Sequence, residues 1–336
     1  MGRLKRRLVV FATTSIAAGA VGAAVALVYC TAMPGRSITG PLPELTQDER
    51  EVSAELRRHV QALALGVGAR RATEGDSLAR AERYLVGELS ALGAGTLRRE
   101  RIPSSPSEAA NLVLELPGRR VSPFVLVGAH YDTAPGGTPG ANDNGSGTAA
   151  ALVLARRLAR SKRDLPLRFV LFANEEMPYF QTKAMGSLVH ARGCSERGEE
   201  LRAMFSLETM GYFSDAAGSQ KYPPPLSKLY PDTGNFIGFV GNLASRSLVR
   251  DSLRHFRAHA SVPSEGAALP ASLPGVGWSD HWAFWQLGYE AVMVTDTAPF
   301  RDPSYHELSD LPMHLDFDRL ARVVVGLEAT LAELSD

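Results

Sequence analysis

Two adjacent carboxylates, Glu175 and Glu176, directly follow an apolar run over 168–173 that is typical of a buried strand. Acidic side chains at such a place are costly unless they are paired or bound to a metal ion. Because successive side chains point in different directions, one carboxylate can ligate a metal while the other faces the water that the metal activates. We interpret this pair as functional, with a solvated strand end as the alternative.

Four further segments each offer an oxygen or imidazole ligand. His130 follows the predicted strand 124–128, and Asp132 is spaced to accept the second N–H of its imidazole, as carboxylates beside metal-bound histidines usually do. Asp143 lies in a Gly-rich turn before a predicted helix, Glu208 ends another apolar run, and His306 lies in a loop after the last predicted strand. Each signal is weak alone, because Asn, Asp, Ser and Gly also suit ordinary turns and helix starts.

Together these ligands are of the hard and borderline type, without Cys, which suits a catalytic zinc that keeps open positions. Two metals about 3.5 to 4 Å apart need a shared carboxylate, and such a pair clamps both the attacking water and the substrate carbonyl oxygen. The constellation therefore predicts metal-dependent amide hydrolysis.

The elements that must position these residues follow an α/β order, in which short apolar runs alternate with helical periodicity. Because ligands bind at the carboxyl ends of strands in open α/β sheets, the candidate residues are expected on one rim. Two segments rich in Pro and Gly, 216–235 and 262–277, are predicted to be long loops that serve as lids or binding segments. The predicted strands are 111–115, 124–128, 168–173, 204–208, 236–240 and 291–295, and the predicted helices are 49–65, 77–92, 147–160, 185–192, 242–258 and 316–334.

The N-terminus predicts a membrane anchor. Basic residues precede a run from Leu8 to Gly35 without a charged side chain, and about 20 apolar residues suffice to span a bilayer. The basic residues before this run place the N-terminus in the cytoplasm and the chain after the run outside, as in a single-pass protein of the cell membrane. A cleaved signal peptide, which would give a secreted protein, is the alternative. The predicted organisation is an anchor over 1–33, a linker over 34–46 and one catalytic domain over 47–336.

Composition narrows the classes of partner. Lys plus Arg and Asp plus Glu both total 36, so the net charge of zero gives no basis for a nucleic-acid partner. The two cysteines, Cys30 and Cys194, lie far apart in the chain and supply neither a disulfide nor a zinc cluster. The sequence carries no signal for an oligomeric state.

The motifs resemble those of metallopeptidase family twenty-eight, which includes bacterial aminopeptidases, glutamate carboxypeptidases and glutaminyl cyclases. The resemblance covers nearly the whole domain, and it rests on five segments in the family's order: GAHYDTAPGGTPGANDNGSG, FANEE, SLETMGYF, WSDHWAFWQLG and DPSYHELSD. It implies a three-layer fold in which helices flank a mixed, mostly parallel sheet of about eight strands.

The resemblance also implies roles. His130 and Glu208 would bind one zinc, Glu176 and His306 a second, and Asp143 would bridge the two. Glu175 would be the general base and Asp132 would orient His130. Asp280 would lie near the substrate, although a helix N-cap before 281–287 accounts for it equally well. The chain departs from the family at Glu208, where aminopeptidases usually carry Asp, and this puts metal occupancy and substrate class in doubt.

The leading prediction is an exopeptidase with two zinc ions per chain that acts on peptides, first of all as an aminopeptidase. A glutaminyl-peptide cyclotransferase with one zinc is the runner-up. A non-catalytic receptor domain on the same fold is the third alternative, and the complete ligand set speaks against it.

Overall fold

The computed structural model describes residues 22, 25–73, 75–105 and 108–336. Three mainly apolar segments, 124–130, 167–172 and 201–208, form strands at the centre of its sheet. In chain order the described strands are β1 (Thr96–Arg101), β2 (Ala110–Leu116), β3 (Phe124–His130), β4 (Leu167–Phe172), β5 (Leu201–Glu208), β6 (Ile237–Gly241), β7 (Ser264–Ala268) and β8 (Ala291–Thr295). Every residue of β3 and β4 is buried, as expected of strands covered on both faces.

The strands form one mixed sheet in the order β1-β2-β4-β3-β5-β8-β6-β7. Strand β3 pairs parallel with β4 and β5, and β5 pairs parallel with β8. Strand β2 pairs antiparallel with β1 and β4, β6 pairs antiparallel with β8, and β7 returns parallel to β6. The predicted fold class, a three-layer α/β fold with a mixed sheet, is confirmed.

Alternation along the central strands gives the sheet two apolar faces. In β3, Val125 and Val127 face one core, while Phe124 and Leu126 face the other. The described helices are α1 (Gln47–Gln61), α2 (Ser77–Ala91), α3 (Gly147–Leu158), α4 (Gly186–Glu196), α5 (Arg246–His259), α6 (His281–Gln286) and α7 (Phe317–Ser335). They cover the two faces of the sheet in two layers, with α4 and α6 on one side and α1, α3, α5 and α7 among those on the other.

Two strands were absent from the prediction. Strand β1, with the sequence TLRRER, lies at the sheet edge and is largely exposed, so it lacks an apolar signal. Strand β7, with the sequence SEGAA, falls inside the segment 262–277 that was predicted to be a loop, and that part of the prediction is wrong. Its small side chains give no periodicity, and its backbone pairing with β6 forms the strand.

The predicted anchor over 1–33 lies mostly outside the described residues. Residues 25–31 are helical, and no helix in the described part of the chain is both long and apolar enough to cross a membrane. The predicted linker runs along the domain: Arg257 donates to the Pro34 carbonyl oxygen at 2.9 Å, and the Ser264 N–H donates to Ser37 Oγ at 2.9 Å. The three domain bounds stay a prediction.

Candidate metal centre

The parallel block β4-β3-β5-β8 brings the candidate residues to one edge of the sheet, because the carboxyl ends of parallel strands meet there. His130 and Glu208 are the last residues of β3 and β5. Glu175 and Glu176 follow the end of β4, and His306 lies in the loop after β8. With Asp143, which lies between β3 and the next helix, five segments of the chain therefore meet at one site.

The first group of potential ligands is His130, Asp143 and Glu208, which are all buried. His130 Nε2 lies 3.2 Å from Glu208 Oε2 and 3.4 Å from Asp143 Oδ1. The ligand atoms of the three side chains lie within 4.8 Å of one another. One cation placed among them could contact all three.

The second group is Asp143, Glu176 and His306, and it shares Asp143 with the first. His306 Nε2 lies 3.0 Å from Asp143 Oδ2 and 3.5 Å from Glu176 Oε1. The two oxygens of Asp143 thus face different imidazoles, Oδ1 towards His130 and Oδ2 towards His306. This is the arrangement that a bridging carboxylate needs.

Glu175 lies beside the first group without belonging to either. Its Oε2 is 3.9 Å from His130 Nε2, and the residue is 6% exposed. Burial raises the pKa of Glu175 well above its ordinary value; His130 opposes the shift, and the carboxylates of Glu176 and Glu208 add to it. The Glu175 side chain is therefore buried close to other carboxylates, next to the ligand groups.

The electrostatics of the centre fit a cation. Burial and the nearby Asp143 raise the pKa of Glu176 to about 8, while the two imidazoles hold the pKa of Asp143 below its usual range although burial opposes this. Among the described residues, only the imidazoles of His130 and His306 form ion pairs with the four acidic side chains of the centre, which are Asp143, Glu175, Glu176 and Glu208. Buried carboxylates with so little compensating charge, combined with histidines, form a donor set that suits zinc.

Asp132 contacts His130 less directly than predicted. The Nδ1 atom of His130 lies 3.2 Å from the Asp132 backbone oxygen and 3.5 Å from its Oδ1. The Asp132 carboxylate instead accepts hydrogen bonds from the backbone N–H groups of Glu175 and Glu176, each at 3.1 Å. It thereby fixes the turn that presents both glutamates, a contact that the spacing of His130 and Asp132 does not reveal.

Asp280 is fully buried, and burial raises its pKa to about 7. The alternative role as a helix N-cap is wrong: Asp280 has helical backbone angles, and its side chain makes no capping hydrogen bond to α6. Both carboxylate oxygens lack a hydrogen-bond partner within the described part of the chain. Its negative charge adds to the raised pKa of Glu175, and His130 opposes the raised pKa of Asp280 itself. A role near the substrate stays a prediction.

Two supporting side chains were missed in the sequence. Asp310 accepts hydrogen bonds from the backbone N–H groups of Asn142 at 2.7 Å and Asp143 at 3.0 Å. Ser279 donates from Oγ to Glu208 Oε2 at 2.7 Å. Asp310 is the last residue of the motif DPSYHELSD, and Ser279 is the first residue of Ser-Asp-His. A carboxylate or a hydroxyl group in a sequence does not show which group it will hydrogen-bond, so neither contact could be predicted.

Arg70 holds the loop that leads from β3 to Asp143. It is fully buried, and its guanidinium donates to the carbonyl oxygens of four residues, Gly68 (3.2 Å), Tyr131 (2.8 Å), Pro139 (2.6 Å) and Gly140 (2.8 Å). Its backbone N–H also donates to Thr133 Oγ1 at 3.0 Å. Buried carbonyl groups need such partners, so Arg70 stabilises the irregular backbone on which Asp143 is carried.

Arg70→Met is expected to lower the free energy of unfolding by about 3 kcal/mol, because several buried carbonyls lose their donor at once. Arg83→Met is the matched control. Its guanidinium is largely exposed and lies 3.7 Å from Asp76, so a change below about 0.5 kcal/mol is expected. Denaturant titration of both variants measures the difference, and equal stability of the two would contradict the role of Arg70.

Comparison with known sequences finds a matching protein family and similar individual proteins. A family model described as Peptidase family M28 matches residues 111–330. The uncharacterized protein YfbL of Escherichia coli (strain K12) is 34% identical over 292 residues, which cover 84% of this chain and 89% of YfbL. A probable leucine aminopeptidase of Arthroderma otae is 26% identical over 243 residues, 67% of this chain, and the chain spans 58% of that protein.

Solved structures share the fold. LapB from Legionella pneumophila superposes with a TM-score of 0.70 at 18% identity, covering 90% of this chain and 78% of that chain. The glutaminyl cyclase of Porphyromonas gingivalis superposes with a TM-score of 0.61 at 19% identity, covering 84% and 98%. At such low identity these likenesses concern the fold and leave the chemistry to the residues of the site.

Proposed function

This chain belongs to Peptidase family M28, a family of metal-dependent peptidases, and from that membership we propose that it is an exopeptidase with two zinc ions, acting as an aminopeptidase. The observation that carries the proposal is the pair of ligand groups that share Asp143. His130, Glu208 and one oxygen of Asp143 would hold one ion. Glu176, His306 and the other oxygen of Asp143 would hold the second.

When bound, such ions polarise the scissile carbonyl and lower the pKa of a water molecule. The proposed part of Glu175 is to take the proton of that water and to return it to the departing amine. Burial suits the role, because a carboxylate whose pKa is raised is a stronger base, and adjacent cations keep it ionised. Asp132 would keep Glu175 in place through the backbone hydrogen bond at 3.1 Å.

Glu208 supports the first ion in spite of its longer side chain. The Ser279 hydroxyl donates to Oε2, the same atom that lies 3.2 Å from His130 Nε2. This contact orients the carboxylate towards the imidazole. We propose that Ser279 compensates for the extra methylene relative to Asp.

Action at the N-terminus of peptides is favoured by charge. The described residues that line the cavity beside the centre include no Lys or Arg, which a site for a C-terminal carboxylate would need. The carboxylates of the centre suit an α-ammonium group instead. The same charges would also admit the N-terminal glutamine of a cyclase substrate, so the reaction itself must be measured.

We expect the zinc-loaded full-length protein to release N-terminal residues from peptides with a free α-amine, and to release them equally from peptides with an amidated C-terminus. N-acetylation should abolish release, because the acidic centre then meets no cation. Mass spectrometry of the products separates the alternatives. Cleavage of acetylated peptides from the C-terminus, or pyroglutamate formation without hydrolysis, would contradict an aminopeptidase.

We further propose that the N-terminal segment anchors the protein in the cell membrane with the catalytic domain outside. The support is the charge-free run Leu8 to Gly35 behind four basic residues. The protein should stay in the membrane fraction after an alkaline wash. A mature protein in the medium that begins after Ala32 would overturn the anchor and leave the enzymatic proposal untouched.

A further inference from the structure

The N-terminal segment meets the domain at the edge of the sheet opposite the metal centre. This edge, where β3, β4 and β5 begin, is called the far edge. Residues 25–31 are helical, and Arg246 at the start of α5 donates from Nε to the Tyr29 carbonyl oxygen at 2.6 Å. The Arg246 guanidinium also lies over the Tyr29 ring, 4.0 Å from its centroid. Because β6 runs antiparallel to β8, its end at Gly241 pairs with Val292 near the start of β8, so α5 begins at the far edge.

From this contact the chain runs along α5 towards the edge that carries the metal centre. Arg257, near the end of α5, donates to the Pro34 carbonyl oxygen at 2.9 Å, and the N–H of Ser264 at the start of β7 donates to Ser37 Oγ at 2.9 Å. Met33 packs against the core of the domain. The segment is thus held along the domain and is not a free tether.

This path decides which edge of the sheet an anchor would turn towards the bilayer. The charge-free run extends from Leu8 to Gly35, and its last part lies on α5. The run enters the domain at the far edge, at Tyr29. A bilayer that holds the rest of the run would therefore lie beside the far edge, and the metal centre would open on the side of the domain away from the membrane.

Two adjacent loops also lie at the far edge. They are the loop 117–123 between β2 and β3 and the loop 159–166 between α3 and β4. Their position follows from the pairing of β2 with β4, in which Leu116 at the end of β2 lies opposite Leu167 at the start of β4. Both loops therefore share the edge at which the N-terminal segment enters.

The two loops form one basic surface. The Arg119 N–H donates to the Arg163 carbonyl oxygen at 3.0 Å, and the buried Arg163 guanidinium donates to the Pro117 carbonyl oxygen at 3.1 Å. The exposed basic side chains of the loops are Arg119, Arg120, Arg160 and Lys162. Asp164 pairs with Arg119, whereas the other three form no ion pair within the described part of the chain.

An apolar side chain projects from this basic surface. Val121 is 93% exposed, directly after Arg119 and Arg120. Basic residues beside an exposed apolar residue are typical of surfaces that lie on a membrane, because the apolar group enters the boundary of the acyl chains while each Lys or Arg is attracted to anionic head groups. The loops therefore have the chemistry of a membrane contact.

Acidic residues limit the basic surface to one part of the far edge. Glu200 and Glu290 are exposed just before β5 and β8. Anionic head groups would repel them, so the attraction must come from the loops beside β2, β3 and β4. The carboxylates of the metal centre lie at the opposite edge, where an anionic surface beside the far edge does not approach them.

We propose that the far edge rests on the membrane and that the loops 117–123 and 159–166 bind anionic phospholipid head groups there. The inference rests on the proposed membrane anchor. It adds a second, electrostatic contact that fixes the orientation of the domain, with the metal centre directed towards peptides in solution.

The test places a fluorescent reporter in the loop of the full-length zinc-loaded protein, reconstituted in vesicles whose acyl chains carry bromine, a quencher of tryptophan. Val121→Trp should gain emission that vesicles of phosphatidylglycerol and phosphatidylethanolamine quench more strongly than vesicles of phosphatidylcholine. Met313→Trp is the matched reporter at the other edge. Met313 is 79% exposed in the loop that carries His306, so its added emission should not be quenched. The unsubstituted protein gives the background of the three native tryptophans.

Removal of charge tests the head-group contact. Arg120→Gln with Arg160→Gln, in the Val121→Trp protein, should weaken binding of the loops to the anionic surface about tenfold. Quenching by the phosphatidylglycerol vesicles should then fall to the value in phosphatidylcholine. Arg80→Gln with Arg83→Gln is the matched control, because it removes two arginines from α2, where Arg80 donates to the Val67 carbonyl oxygen. Both double variants should hydrolyse aminoacyl anilides as the wild type does, which shows that they fold.

The possible failures are distinguishable. Vesicle-bound protein in which Val121→Trp is not quenched, or is quenched equally in both kinds of vesicle and in the Arg120→Gln, Arg160→Gln variant, would overturn the head-group contact alone. Quenching of Met313→Trp would show that the other edge faces the membrane, which also overturns the inference. Protein that does not float with the vesicles would contradict the anchor itself, and this contact with it.

Discussion

Glu175→Gln is expected to lower peptide hydrolysis by about 10³-fold while the zinc content stays at the wild-type value. The amide has the size of the carboxylate but cannot take a proton. Glu175 belongs to neither ligand group, and its Oε2 lies 3.9 Å from His130 Nε2. The loss should therefore appear in kcat, with folding and metal binding preserved.

The neighbouring Glu176→Gln is the matched comparison. It makes the same chemical change one residue along the chain, at a side chain 3.5 Å from His306 Nε2 that belongs to the second ligand group. It should reduce both activity and zinc content, because it removes a charged ligand. Steady-state kinetics and metal analysis on both variants separate a base from a ligand, and wild-type activity in Glu175→Gln would contradict the proposed mechanism.

Asp143→Asn is expected to have the second large effect, a loss of both zinc ions and about 10³-fold lower activity. Asp143 is the one residue common to the two ligand groups, and its two oxygens face His130 and His306 separately. An amide keeps the shape but removes the negative charge that both cations would share. Zinc should then bind more weakly at both positions, whereas a change at His306 should weaken only one.

Asp164→Asn is the control for this change. Asp164 forms an ion pair with the exposed Arg119 away from the centre, so its substitution should alter neither activity nor zinc content. The measurement is zinc per chain together with activity after dialysis. Two zinc ions retained by Asp143→Asn would show that the shared carboxylate does not bridge.

The sheet centre could be predicted from the sequence because burial on both faces leaves a local signature. The runs that form β3, β4 and β5 are mainly apolar, and each ends in or just before a candidate ligand. The carboxyl ends of parallel strands meet at one edge of the sheet. His130, Glu176 and Glu208 can therefore be predicted to lie together without knowledge of any contact.

The parts that were missed depend on contacts that leave no local pattern. Strand β1 is charged and exposed, and it is a strand because β2 provides a backbone partner. Asp310 and Arg70 hold the backbone around Asp143 through hydrogen bonds that span 167 and up to 70 residues of sequence. The Asp132 carboxylate lies 3.5 Å from His130 Nδ1, and its further hydrogen bonds from the Glu175 and Glu176 backbone could not be predicted from the spacing.

The number of zinc ions bound per chain tests the central claim most directly, because the two groups around Asp143 predict two. Metal analysis of the purified full-length protein, after zinc loading and removal of excess metal, should give two equivalents. Removal by a chelator should abolish hydrolysis of aminoacyl anilides, and added zinc should restore it. One equivalent per chain with pyroglutamate formation from N-terminal glutamine, or a folded protein that binds no zinc, would contradict the claim.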